Sequence, residues 1–331
     1  MAGPTFADIA RAAGVGTATV ERVLNGRGGV RPATVERVLA AARSLDYPRR
    51  LPDVHRGLLR IEVILVRPET TFYRRLSRAF ERIAATLDPV VRVHRTFADE
   101  ADPPAIAALI ASGDRRAGLI LAVPDHPAIR AAVEGVAPQL PLVHVVTRAH
   151  PTLGELVAID NYAAGRTAAH FLARMQGRLG GLVAIGHPIY QVHRERLRGF
   201  SDCLALRPGG LDFRWIGFGG DDARRCGDLV HRALETWPDL AGVYNVGAGN
   251  RAVADVLRRH PRGAGVFCVG HELSDATAEA LRDGAMHIVL DQAPEAQARR
   301  AIDLMLSRLG LLTLPVDTTP IRFVTVTAES V

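Results

Sequence analysis

The chain has 331 residues, 48% of them hydrophobic, and a formal net charge of +6. This length suffices for about two domains. No segment approaches the roughly 18 consecutive apolar residues of a membrane helix, and no early run combines the parts of a secretory signal, so we expect a cytoplasmic protein. The three cysteines are widely spaced and the twelve histidines lack metal-binding spacing, so neither a metal nor a cofactor is expected.

The excess positive charge is concentrated at the start of the chain. Residues 1–60 contain ten arginines against five acidic residues, whereas the remainder is nearly neutral. A small basic segment joined to a neutral one is typical of a nucleic-acid-binding module attached to another domain. The sequence therefore predicts that the first sixty residues contact nucleic acid.

Three short helices are predicted in this basic segment. Thr5 and Asp8 have the spacing of a helix N-cap, and Gly14 ends the helix that they open. A second helix resumes after a few residues and stops at Asn25, so a tight turn joins the two as in a helix-turn-helix. A third helix begins near Pro32.

The heptapeptide "ATVERVL" occurs twice, at residues 18–24 and 33–39. Both copies place Val, Val and Leu on one helical stripe, which predicts two helices docked on a shared core. The first copy follows the tight turn, as a recognition helix does, so it should present side chains to the major groove. The residues concerned are Thr17, Ala18, Thr19 and Arg22. On this interpretation Arg37, the twin of Arg22, is a solvated charge; the alternative is that both copies are only structural.

The segment "TFADIARAAGVGTATVERVLNGRGGVRPATVERVLAAARSLDY" resembles the headpiece of LacI-type (lactose-repressor) transcription regulators. The resemblance implies a helix-turn-helix DNA-binding domain over residues 1–47. It assigns base-reading positions to Thr17, Ala18 and Arg22, and backbone-contacting or capping positions to Thr19 and Asn25. We place Thr5 with the DNA-binding residues as well.

Residues 48–60, "PRRLPDVHRGLLR", form the expected hinge or linker. In the family this segment becomes a helix on DNA and inserts a leucine into the minor groove. Here Pro48, Pro52 and Gly57 oppose a continuous helix. Leu58 or the adjacent Leu59 is the candidate wedge, and the sequence leaves open whether the segment folds on DNA.

From residue 60 onward, ten short apolar runs alternate with amphipathic helical stretches. Such alternation predicts an α/β domain with doubly wound parallel sheets, and ten strands suit two lobes better than one. We expect an N-lobe of about residues 61–160 plus 292–322. A C-lobe should contain about residues 161–291 and the C-terminal strand.

Aromatic and polar residues follow many of these predicted strands, where open parallel sheets bind ligands. Aromatic rings together with carboxylate, amide and guanidinium groups match the chemistry of a sugar or polyol site. The candidate ligand-binding residues at strand ends are Phe72, Tyr73, Arg148, Asp160, Arg194, Asn245, Glu272 and Gln292.

Residues 60–330 also resemble the sensor domain of LacI-type regulators and the ribose-type periplasmic binding proteins. The segments "AIDNYAAGRTAAHFL", "RERLRGF" and "LDQAPEAQARRAIDLM" carry this resemblance. It adds Asp228 to the candidate sugar contacts. The relatives usually have Asn-Asp where this chain has Asn245-Val246, and the loss of that acid beside Arg148, Arg194 and Arg196 permits a more anionic ligand. Taken singly, Arg196 and Arg198 are expected to be surface charges.

These features predict a ligand-responsive transcriptional regulator, most simply a repressor that binds a pseudo-palindromic double-stranded DNA operator as a homodimer. Its effector would be a sugar, a polyol, or a sugar acid or phosphate. No catalytic constellation such as GxSxG is present, so we do not expect an enzyme. The alternatives are a solute-binding protein and a sugar- or nucleotide-processing α/β enzyme. The sequence does not choose between an inducing and a co-repressing effector.

Overall fold

The computed structural model describes residues 4–25, 30–47, 58–113, 116–206 and 211–331. Contacts within the chain divide it into two units, residues 1–58 and 59–331. Most of the expected hinge, including Pro48, Pro52 and Gly57, lies outside the described residues. No helix in the described ranges is both long enough and apolar enough to cross a lipid bilayer.

The first unit contains three helices around a small core. Their bounds are α1, Phe6–Ala13; α2, Thr17–Leu24; and α3, Pro32–Ser44. Thr5 and Asp8 form a reciprocal capping box at the start of α1, and Gly14 ends that helix with φ of 63°. Ile9 and Val20 are fully buried where the helices meet. The predicted helix-turn-helix is therefore confirmed, and its N-cap and stop signals lie where the sequence placed them.

The second unit alternates strands and helices. The strands are β1, Leu59–Val66; β2, Val91–Ala98; β3, Arg116–Ala122; β4, Leu142–Val145; β5, Glu155–Val157; β6, Gly180–Gly186; β7, Leu211–Phe218; β8, Leu240–Asn245; β9, Phe267–His271; β10, Ile288–Asp291; and β11, Val324–Val326. The helices are α4, Thr71–Ala84; α5, Pro103–Ala111; α6, Pro127–Val136; α7, Asn161–Met175; α8, Gln191–Ala205; α9, Ala223–Thr236; α10, Asn250–Arg259; α11, Asp275–Arg282; and α12, Pro294–Arg308.

The strands form two sheets, one in each lobe. The N-lobe sheet has the order β2-β1-β3-β4-β5 with every pairing parallel, and the C-lobe sheet has the order β11-β10-β9-β8-β6-β7. Among the strands of the described residues, only β11 runs antiparallel, against β10. Buried side chains cover both faces of each sheet, which makes the strands nearly continuous apolar runs. The predicted two-lobed, doubly wound fold is confirmed.

The chain passes between the lobes three times: after β5, after β10, and between α12 and β11. Two of these crossings pair side by side, because Ile159 and Ile321 form a parallel bridge. One hydrophobic cluster also runs through both lobes, from Phe80 in α4 to Phe200 in α8. The lobes are thus joined at one end by three strands of chain over a continuous core.

Two glycines bring α7 and α8 into close contact. A Cβ atom on Gly165 would lie 1.9 Å from the carbonyl oxygen of Arg196, and one on Gly199 would lie 2.0 Å from that of Tyr162. Neither gap can hold a methyl group, so only glycine permits this helix spacing. The contact fixes how closely the backbone of α8 at Arg196 approaches α7.

We predict that Gly165→Ala lowers the free energy of unfolding by about 1–3 kcal/mol, because the added methyl group must push α7 and α8 apart. Gly135→Ala is the matched control in α6, where nothing lies within 4 Å of the added carbon. It should raise stability by up to about 1 kcal/mol through helix propensity. Urea unfolding followed by circular dichroism measures both effects, and equal effects of the two substitutions would contradict the packing argument.

Candidate functional site

The first unit presents the start of α2 to solvent. Thr17, Ala18 and Arg22 are exposed, whereas Val20 and Val23 point into the core. Thr19 is half-buried. The helix begins three residues after the left-handed Gly14, and its N-cap residue Gly16 has no side chain to cover the first turn. This is the local geometry of a helix that can enter a DNA groove.

The other predicted DNA-binding residues lie at helix ends or at the edge of the unit. The hydroxyl of Thr5 caps α1 by accepting from the Asp8 amide at 3.4 Å, and it also donates to the Asp8 carboxylate at 2.6 Å. Asn25 is the exposed C-cap residue of α2. Leu58 is 69% exposed and directly precedes β1, and Leu59 is already part of that strand.

The two copies of the heptapeptide are buried differently. In the first copy Val20 and Val23 are buried and Leu24 is half-buried. The second copy buries its last two apolar residues, Val38 and Leu39. Arg22 and Arg37 are both exposed, so the two arginines differ in the helix that carries them and not in local sequence. The pair provides a natural control for any test of DNA contact.

A cleft lies between the two lobes of the second unit. The carboxyl ends of the strands in both sheets open into it, and it encloses a cavity of about 1310 Å³. Of the six non-glycine residues with positive φ in the described ranges, four line this cavity: Arg67, Val146, Asp221 and Glu272. Non-glycine residues adopt this conformation at a cost of about 1–3 kcal/mol each, and such residues cluster at functional sites.

Ion pairs and hydrogen bonds join the lobes across the cleft. Arg67, after β1, donates to Asp221, after β7, at 2.8 Å. Tyr190, after β6, donates to Glu100, after β2, at 2.6 Å, and the Arg67 guanidinium lies over the Tyr190 ring. These four side chains hold the N-lobe edge against the C-lobe edge, and we call them the interlobe latch.

A second polar group lies deeper in the cleft. Arg196 donates through Nη2 to Oε1 of Gln292 at 2.6 Å, and Gln292 donates through Nε2 to Oε1 of Glu272. Arg75 of α4 pairs with Asp291, and its Nη1 atom lies 3.7 Å from Glu272. The second carboxylate oxygen of Glu272 is buried and has no hydrogen-bond partner among the described residues. A buried oxygen without a hydrogen bond, on a residue that lines the cavity, is a candidate ligand contact.

Burial, and then the negative charge of Asp291, raise the pKa of Glu272 to about 8. Its ordinary value is 4.5, so the carboxyl group is mainly protonated near neutral pH. In that form Glu272 can donate one hydrogen bond as well as accept others.

Five of the nine predicted ligand-binding residues line the cavity: Phe72, Tyr73, Arg194, Glu272 and Gln292. The other four are placed outside its lining, each for a local reason. Arg148 donates to the carbonyl of Gly154 at 3.1 Å, and Asp160 caps α7 by accepting from the Ala163 amide. Asn245 is buried and holds the loop after β8 through the Ala248 carbonyl. Asp228 is exposed on α9.

The expectation that Arg196 is a surface charge is wrong, because its side chain is 2% exposed and lines the cavity. Helical spacing carried the signal: Arg196 shares the buried face of α8 with His193, Phe200 and Cys203. Arg198, two residues along the same helix, is 78% exposed as expected. Sequence analysis also missed all four latch residues, Arg67, Glu100, Tyr190 and Asp221, although each follows one of the predicted strands.

We predict that Glu272→Gln makes stability less dependent on pH. A folded-state pKa of about 8, above 4.5, means that the folded protein binds this proton more tightly than the unfolded chain does. Stability is then lost as the pH rises between those values, and the neutral variant gains on the wild type by up to about 1.4 kcal/mol per pH unit. Urea titrations from about pH 5 to 8 test this, with the exposed Glu279→Gln as control. A difference from the wild type that stays constant across this range would contradict it.

Asp221→Asn should open the cleft, because it removes the nearest carboxylate from the half-buried Arg67. Breaking one side of a buried pair costs about 3–5 kcal/mol, and separating the lobes relieves this by rehydrating the guanidinium. Hydrogen exchange should become several-fold faster in residues 67–73 and 187–193. Asp222→Asn is the control, since Asp222 is an exposed cap of α9 and asparagine also caps helices. Unchanged exchange in the Asp221 variant would show that the latch does not hold the lobes.

Comparison with known proteins gives two family matches. Residues 5–49 match the family described as bacterial regulatory proteins, lacI family. Residues 61–310, which are most of the chain, match the periplasmic binding protein domain. The boundary between the two matches falls where the contacts divide the chain.

Curated relatives and solved structures agree with these matches. The HTH-type transcriptional regulator GalS of Salmonella typhimurium is 25% identical over 294 residues, covering 86% of this chain and 77% of that protein. The regulator DegA of Bacillus subtilis is 27% identical over 209 residues, or 60% of each chain. The crystal structure of GanP, a glucose-galactose binding protein from Geobacillus stearothermophilus, has a TM-score of 0.73 at 19% identity, covering 83% of this chain and 99% of that one.

The chain therefore belongs to the lacI family of bacterial regulatory proteins and is a transcriptional regulator that joins a helix-turn-helix domain to a periplasmic-binding-protein domain.

Proposed function

We propose that this regulator is a repressor whose affinity for operator DNA is set by a small sugar-like effector in the interlobe cleft. The observation that carries the proposal is the cleft itself, with polar groups at strand ends in a chain that begins with a helix-turn-helix. GanP is a glucose-galactose binding protein with the same fold. No catalytic activity is part of this proposal, and the protein would act in the cytoplasm.

The cleft offers both kinds of contact that a sugar requires. The rings of Phe72 and Tyr73 lie edge to face with their centroids 5.3 Å apart, and they provide apolar surface for the carbon face of a sugar ring. Glu272 and Gln292 provide a carboxyl and an amide group for hydroxyls, and Arg194 lies at the exposed rim.

Effector binding would change DNA affinity through the arrangement of the lobes. An effector shifts this equilibrium only if it binds one interlobe arrangement more tightly than the other. The interlobe latch is the natural element to be biased, because its bonds exist only when the two edges meet. The coupling is reciprocal, so operator DNA would change effector affinity by the same factor.

On DNA, we assign base contacts to Thr17, Ala18 and Arg22. Thr19 and Asn25 would contact the backbone, Thr5 would support the start of α1 against a phosphate, and Leu58 would approach the minor groove. One helix-turn-helix makes few contacts, so a homodimer on a pseudo-palindromic operator supplies two half-sites.

We predict that Arg22→Ala weakens operator binding by about 1–3 kcal/mol, whereas Arg37→Ala changes it little. Both substitutions remove the same charge from the same heptapeptide, so nonspecific attraction falls equally. Fluorescence anisotropy with DNA from the protein's own promoter region, at two salt concentrations and with excess nonspecific DNA, gives the comparison. Equal losses in both variants would show that the first unit supplies charge without sequence recognition.

The effector part of the proposal is tested on the same complex. Candidate sugars, sugar acids and sugar phosphates are added to the DNA-bound protein, and anisotropy is followed as each is titrated. Release of DNA by a compound that is recovered unchanged supports the proposal. Chemical turnover of the compound would overturn it.

A further inference from the structure

The walls of the cleft carry more unpaired positive than negative charge. Seven arginines line the cavity, and two of them, Arg67 and Arg75, lie within 4.0 Å of the lining acids Asp221 and Glu272. The other five have no carboxylate within 4.0 Å in the described part of the chain: Arg74, Arg78, Arg194, Arg196 and Arg251. Of the six lining acids, only Asp275 lacks an arginine within that distance, again among the described residues.

Arg196 is the most informative of the five, because it is buried. Its three described hydrogen bonds go to neutral acceptors: Oδ1 of Asn161 and the carbonyl of Val246, both at 2.8 Å, and Oε1 of Gln292 at 2.6 Å. A guanidinium has five N–H groups, so two are available to a further acceptor. A buried charge with only neutral partners is unfavourable, and a planar fork of N–H groups matches a carboxylate or phosphate.

Glu272, which shares Gln292 with this guanidinium, does not oppose a bound anion. Gln292 separates Glu272 from Arg196, and the pKa of Glu272 is raised to about 8 by burial and by Asp291. A protonated Glu272 has no negative charge and can donate to a negatively charged oxygen. Its Oε2 atom lies 3.7 Å from Arg75 Nη1 and has no hydrogen-bond partner among the described residues, so it is suited to the same ligand.

Two helix N-termini add to this preference. Both α8 and α10 begin at the cavity wall, and no described side chain caps either of them. The first amides of a helix carry partial positive charge and hydrogen-bond anions. By contrast, α4, which begins on the opposite wall, is capped by Thr70.

We propose that the effector is an anionic polyol, with its carboxylate or phosphate group bound against Arg196, its hydroxyl groups toward Glu272 and Gln292, and its carbon face against Phe72 and Tyr73. This deepens the proposed function and rests on it. A neutral sugar would leave the buried guanidinium without a counter-charge, whereas an acid or phosphate of the same carbon skeleton would supply one.

The first experiment uses inorganic phosphate as the probe. Isothermal titration calorimetry at fixed ionic strength should show saturable binding to the full-length wild type, and Arg196→Gln should weaken it at least tenfold. Arg198→Gln is the matched control on the same helix and should stay within about twofold of the wild type. Equal binding by wild type and Arg196→Gln, or no saturable binding by the wild type, would overturn the proposal.

Gln292→Glu guards against a folding defect in the Arg196 variant. It places a carboxylate beside Arg196 in a side chain of nearly the same shape, so the guanidinium gains an internal partner. The melting temperature of the free protein should rise and phosphate binding should be lost. A variant that melts no higher than the wild type and still binds phosphate would contradict the assigned role of Arg196.

Matched ligands then identify the anionic group. D-gluconate and D-glucose 6-phosphate are compared with D-glucose, and D-galactonate and D-galactose 6-phosphate with D-galactose. At least one anion in each set should bind tenfold or more tightly than its neutral parent, and the preferred member distinguishes carboxylate from phosphate. Tighter binding of the neutral sugars, with DNA release, would overturn this inference and leave the proposed function standing. Absence of specific DNA binding would remove the proposed function whichever anion binds.

Discussion

A parallel sheet brings the carboxyl ends of its strands to one edge, and this constraint determines where everything else in the larger unit lies. Five parallel strands in one lobe and five in the other direct those edges toward a shared cleft. Arg67, Glu100, Asp221 and Glu272 come from four different strands yet lie around one cavity. The three crossings of the chain keep the edges opposed while leaving the far side of the cleft free to open.

Charge within the cleft is arranged in two layers with different partners. At the mouth, Arg67 pairs with Asp221, so that charge is neutralised by the protein and joins the lobes. Deeper in, Arg196 of the C-lobe helix α8 has only neutral hydrogen-bond acceptors, and one of them, Gln292, lies on a crossing between the lobes. In the proposed function, the first layer would report whether the lobes are closed, and the second would determine which compounds favour closure. Binding and conformational change would then involve different side chains.

Much of this organisation could be predicted from local sequence. The capping box at Thr5, the stop at Gly14 and the ten apolar runs are signals contained within a few neighbouring residues, and the structure confirms them. The residues that line the cleft were harder to predict, because a position at a strand end does not determine whether the side chain points into the cleft. Asp160 and Asn245 follow strands as Glu272 does, but they satisfy nearby backbone groups instead. Arg196 was predicted to lie on the surface because arginine is charged, although its helical position is on the buried face of α8.

The glycine contact between α7 and α8 has a consequence for how such a regulator can acquire a new effector. Arg196 O lies where a Cβ on Gly165 would be, so the backbone beneath the guanidinium cannot be raised or lowered without separating two helices. A change of specificity must therefore come from exchanging side chains on a fixed platform, or from the N-lobe wall that carries Phe72 and Tyr73. The wall beneath Arg196 is therefore fixed by helix packing, whereas the opposite wall is not held by this contact.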